Sequence, residues 1–141
     1  MAALSLAAPH DLYDTRAERG AFEETRRPAF LVHVAEVVEN SFVLRDADWD
    51  GLFSYIVQHW EMGPVLLEAP EAIRKIFGEV RLTLDLVKDP EEGWEQLFIV
   101  VMGREPVAQA VERLRRLDQS WFADAARLAR FAINVTIEPD V

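Results

Sequence analysis

The sequence predicts an α+β domain in which N-terminal helices precede a β-β-α-α-β run. That run makes a small three-stranded mixed sheet packed against helices. Three observations predict it. Trp49, Leu52, Phe53, Ile56, Val57 and Trp60 recur at helical spacing on one face. Val80, Leu82, Leu84 and Leu86 alternate with Arg81, Thr83 and Asp85, the period of a half-buried strand. Between that strand and the next apolar stretch, Lys88-Asp89-Pro90-Glu91-Glu92-Gly93 is turn chemistry, with proline presetting φ and glycine accepting a positive one.

Residues 1–27 show no clear period, although the charged stretch Asp14 to Arg27 is compatible with a polar helix. This segment reads as a mobile tail or an arm ordered by a partner. Residues 28–141 then form one domain, helical over 28–78 and sheet-containing over 79–141. Pro28 suits the first turn of a helix, where its missing N–H costs nothing. Phe30, Leu31, Val34, Val37 and Val38 continue that helix with a 3.6 period.

Asp46 or Asp48 caps the helix of residues 46–61, and Gly63-Pro64 stops it. A shorter helix begins near Pro70 and ends at Gly78. The strand from Val80 pairs through the turn with a second, Trp94 to Met102, in an antiparallel hairpin. Leu97 to Met102 is apolar on both faces and calls for cover on both. Pro106 opens a helix with Val107, Ala110, Val111, Leu114 and Leu117 inward. A break at Asp118 to Ser120 follows, with Ser120 capping a short helix through Trp121, Phe122 and Leu128. Phe131, Ile133, Val135 and Ile137 alternate in a last strand. Returning over a helical crossover, that strand is expected to pair with the first, giving sheet order 2-1-3.

Composition narrows the function classes. The chain has 141 residues, 15 basic against 25 acidic, and a net charge of −10. Residues 28–103 hold 5 basic and 14 acidic groups, so the middle of the chain carries nearly all of the excess. Phosphate neutralisation by Lys and Arg drives unspecific nucleic-acid binding, so no nucleic-acid or anionic-lipid partner is expected. An acidic face steers basic partners instead. The concentration Arg113, Arg115, Arg116, Arg127 and Arg130 is expected to pair internally with the acidic middle. There is no cysteine, which removes disulfides, thiolate catalysis and cysteine-based metal sites.

The longest apolar run, Leu97 to Met102, is far shorter than the ~20 residues of a membrane span, so no membrane association is expected. No basic residue precedes Arg16, unlike the start of a secretory signal. A cytoplasmic location is the expectation. The preference for Arg over Lys, with abundant Ala and Val, fits a bacterial chain from a GC-rich genome.

Motif chemistry is sparse. Asp46, Asp48 and Asp50 with Gly51 reproduce the first half of a calcium loop, the one metal candidate. Its twelfth position is Val57 rather than a bidentate Glu, so acidic helix capping is the expected role. The histidines, His10, His33 and His59, make no ligand pair, and His33 with Glu36 lacks the second copy a di-metal site needs. No nucleophile elbow surrounds any serine, and the six glycines are too dispersed for a phosphate loop. Neither a catalytic residue nor a cofactor is therefore expected.

Trp94 follows Gly93 at the hairpin tip among Glu91, Glu92 and Glu95. An exposed aromatic ringed by acids is a binding anchor for a basic protein. The favoured reading is protein–protein binding of the antitoxin, immunity or accessory-subunit type. A small-ligand sensor or enzyme using Tyr55, His59 and Asp85 in a pocket between helices and sheet is the alternative. A homo-oligomeric scaffold built on an uncovered sheet edge is the third.

Overall fold

The computed structural model describes residues 16–46 and 48–140, with side chains from Pro28 onward. Residues 1–15 of the expected arm lie outside the described residues. In order, the elements are α1 (Arg16–Ser41), β1 (Val43–Leu44), α2 (Trp49–Gln58), a 3₁₀ turn (Trp60–Met62) and α3 (Gly63–Phe77). Then come β2 (Arg81–Lys88), β3 (Glu95–Gly103), α4 (Val107–Leu117), a π-helical turn (Asp118–Phe122), α5 (Ala123–Leu128) and β4 (Ile133–Pro139). The α+β class read from the sequence is the class observed.

The sheet differs from the expected one. It has four strands in the order β1-β2-β3-β4, not three in the order 2-1-3. The hairpin β2–β3 is antiparallel, from Arg81↔Met102 to Lys88↔Glu95. β4 pairs parallel to β3, from Leu97↔Ile133 to Gly103↔Pro139, and does not pair with β2. The outer edge of β2 is taken by β1, parallel, through Val43↔Thr83 and Leu44↔Leu84. β1 lies in the half expected to be wholly helical. A two-residue strand has no period to read, and its pairing is specified by a partner far along the chain. With β2 so occupied, the apolar central strand β3 is flanked on both edges.

Helix boundaries also differ. α1 does not begin at Pro28 but runs through it from Arg16. Gly63-Pro64 does not stop a helix; it starts α3, where proline at the first turn removes no intrahelical bond. Pro70 is inside α3 and buried. Ser120 does not cap a new helix: its Oγ donates to the Arg116 carbonyl at 2.7 Å within the π-helical turn that joins α4 to α5. The last strand starts at Ile133, because Arg130 and Phe131 hold positive φ of 53° and 60° in the turn before it.

Successive strand residues face opposite sides. On one side Leu82, Leu84, Leu97, Ile99, Val101 and Ile133 are buried together with Val34, Leu52, Leu66, Ile73 and Leu117 from the helices. The other side carries Thr83, Asp85, Phe98, Val100, Met102, Asn134, Thr136 and Glu138, none of which joins that core. The described fold is therefore two layers, helices on one sheet face.

The second face is spanned by an ionic bridge. Arg45 follows the edge strand β1, and Glu138 lies in the opposite edge strand β4. The guanidinium donates to both Glu138 oxygens at 2.8 and 3.1 Å and to Asp85 Oδ2 at 3.0 Å. The paired residues between the two edges, Thr83 and Val100, are 6% and 1% exposed and lie outside the helical-side cluster. Bonding to Glu138, opposed by partial burial and aided by the Asp85 charge, raises the Arg45 pKa and fixes its cation.

Candidate functional site

The hairpin tip is built by Asp89. Its side chain accepts from the backbone N–H groups of Glu91 and Glu92 at 2.8 and 3.0 Å. Its carbonyl accepts from Gly93 N–H at 2.8 Å, and its own N–H donates to the Trp94 carbonyl at 2.9 Å. Gly93 takes the positive φ of 77° that closes the turn. An aspartate that satisfies two successive amides stiffens a turn that would otherwise sample many states. Glu91 and Glu92 project from it exposed. Glu95 is half-buried and meets Lys88 across the strands at 3.6 Å. Trp94 stands 46% exposed at the base of the turn. Glu91, Glu92 and Trp94 thus share one short connection, and Glu95 opens β3 directly after it.

Two apolar residues that the sequence placed in packed elements are exposed where the chain leaves α5 for β4. β4 starts beside the start of β3, and Gln96 Nε2 donates to the Phe131 carbonyl at 3.3 Å, so Phe131 neighbours the tip. Phe131 is 66% exposed and Leu128, the last residue of α5, is 71% exposed. Phe131 carries strain as well, since positive φ is unfavourable for a bulky L-residue. Its alternation with Ile133 suggested a strand residue, and no local signal marks the left-handed turn that turns it outward.

The remaining candidates divide. Asp48 caps α2, accepting from Gly51 N–H at 3.0 Å, while Asp46 and Asp50 are exposed. Among the described residues no three His, Cys, Asp or Glu side chains are grouped closely enough to hold a metal. Tyr55 and His59 come together, their rings 4.4 Å apart. Tyr55 is buried and its hydroxyl donates to the Ala132 carbonyl at 2.6 Å. Burial raises its pKa; the Leu97 backbone opposes this and the Glu95 charge adds to it. Asp85 does not join them: it belongs to the Arg45 bridge on the other face of the sheet.

The arginines mostly pair locally rather than with the acidic middle. Arg113 meets Glu105 at 2.9 Å, Arg115 meets Glu112 at 2.8 Å and Arg127 meets Asp124. Among the described residues Arg130, 3.8 Å from Glu61, pairs with an acid of residues 28–103, and Arg113 also donates to the Ile76 carbonyl. Among the described residues no helix is long and apolar enough to cross a membrane. No family model matches the chain, and neither does a curated protein or a solved structure.

Proposed function

We propose that this protein acts by binding a basic protein partner at the hairpin end of its sheet, as an inhibitor or accessory subunit does. The observation that carries the reading is Trp94, 46% exposed beside a turn that Asp89 holds and that carries the exposed Glu91 and Glu92, with Glu95 next in the chain. A rigid aromatic loses little conformational entropy on burial and supplies much of the energy of an interface. The carboxylates around it supply attraction at a distance, which raises the association rate more than the final affinity. Phe131, exposed beside the start of β3, extends the apolar part of the surface.

The test is affinity capture from the native host's cytoplasm at low and high salt, followed by titration of the captured protein. Trp94→Ala is expected to weaken binding by about 2 kcal/mol or more, roughly 30-fold, the range of an interface anchor. The double change Glu91→Gln and Glu92→Gln is expected to slow association, chiefly at low salt. A partner bound equally well by the Trp94→Ala protein would place the interface elsewhere. No stoichiometric partner at either salt would end the reading.

A further inference from the structure

We propose that two copies of this chain associate through their β4 edges, around a two-fold axis at Thr136, extending the sheet across the pair. The two edges of the sheet are unlike. β1 is two residues long, the usual way to blunt an edge. β4 is seven residues long and pairs with β3 without a bulge. Among the described residues its outer side has no strand partner. Its one charge, Glu138, is already held by Arg45, so the devices that protect an edge from pairing are confined to the terminal Pro139.

The strand is complementary to itself. An antiparallel pair centred on Thr136 sets Val135 opposite Ile137 of the second copy on the helical side. It sets Asn134 opposite Glu138 on the other side, an amide against a carboxylate. β-branched and amide–acid pairs are favourable cross-strand neighbours, and no like charges meet. Because paired residues keep their face, the helical layers of both copies stay on one side of the joined sheet.

The flank of α4 beside this edge fits the same axis. Val107 and Val111, one turn apart, are 72% and 43% exposed. Val107 and Ala110 line one surface cavity together with Ile137, and Val111 and Leu114 line another together with Val135, so the axis through Thr136 falls near Val111. An antiparallel copy of α4 centred there brings Arg104 toward Asp118 of its mate, twice over. Both residues are exposed, and among the described residues neither makes an ion pair or a side-chain hydrogen bond. Charge complementarity therefore selects a second copy as the occupant of this edge.

The experiment uses the full chain, whose lack of cysteine makes an introduced thiol unique. Residues facing each other across an antiparallel pair stand about 4.5–5.5 Å apart at Cα, within disulfide reach. Thr136→Cys is expected to link into a covalent dimer under mild oxidation far faster than Val43→Cys on the other edge. By sedimentation the wild-type chain is expected to approach twice its 16.1 kDa mass as concentration rises. Arg104→Glu should shift it toward monomer, and Arg104→Glu with Asp118→Arg should restore the dimer. Both are surface changes, so the swap reads the interface even if the cysteine variant folds poorly. A wild-type chain monomeric at every concentration overturns the proposal, as does linking no faster at Thr136 than at Val43. A dimer indifferent to Arg104→Glu overturns it too. Trp94→Ala should leave all of these readouts unchanged, which separates this interface from the hairpin end.

Discussion

A single hydroxyl ties the helical layer to the start of the last strand. Tyr55 is fully enclosed, and its hydroxyl donates to the Ala132 carbonyl, itself buried one residue before β4. Tyr55→Phe keeps the ring but leaves that carbonyl without its donor, at a cost of about 1–3 kcal/mol in urea unfolding. The same residue sets a pH limit. Its folded pKa is raised above the ordinary tyrosine value of 10.0, first by burial. The neutral form is thus the one the fold accepts. Its contribution is complete below the unfolded pKa and is lost as pH rises through the folded one. Melting temperature should fall more steeply on the alkaline side in the wild type than in Tyr55→Phe; parallel curves would contradict this. At this scale the sequence was partly legible. Tyr55 and His59 stand together among the residues the sequence offers for a pocket, but the partner carbonyl, 77 residues away, leaves no local trace.

Between elements, the contact of α1 with α3 depends on a missing side chain. Gly63 has ordinary helical angles, φ −52° and ψ −51°, so no backbone demand requires glycine there. Space does: a Cβ would stand 2.5 and 2.7 Å from the ring atoms Cε2 and Cζ of Phe30. Gly63→Ala is therefore expected to destabilise by about 1–3 kcal/mol, overcoming alanine's helix preference of roughly 1 kcal/mol. In a Phe30→Leu background the same change should cost much less, a coupling that a double-mutant cycle would measure. Additive effects would show that the two helices do not meet as described. Reading Gly63-Pro64 as a stop was reasonable from local chemistry, since both residues also end helices. Only the ring of Phe30 on another helix reveals why glycine begins one here.

Across the whole molecule, the hairpin was legible because alternation and turn residues are local signals. The sheet order was not, because strand neighbours are chosen by contacts between distant segments, and β1 is too short to carry a pattern. The acidic aromatic tip was visible in the sequence, whereas Phe131 was hidden by a backbone turn. Least legible was the Arg45–Glu138 bond, which joins residues 93 apart. Arg45, Asp85 and Glu138 are only partly exposed, with side chains 33%, 20% and 41% accessible. Arg45→Ala should lower stability by about 1 kcal/mol, a value already reduced for solvent screening, and by less at high salt. Arg45→Lys should recover only part of this, since an ammonium cannot engage both oxygens of Glu138 in parallel. Equal losses at low and high salt would assign the effect to packing over Thr83 and Val100 instead.

The position of the hairpin also orders the sheet by closure entropy. The two central strands are joined by the short tip around Asp89. β4 reaches β3 only after α4 and α5, and β1 reaches β2 only after α2 and α3. Closing a loop costs more as the loop lengthens, though slowly. The middle of the sheet is thus the cheapest part to bring together, and each edge requires a longer stretch of chain to be gathered first. Among the side-chain hydrogen bonds of the described residues, Arg45–Glu138 closes the longest stretch, 93 residues, so it records that both edges have already found their places.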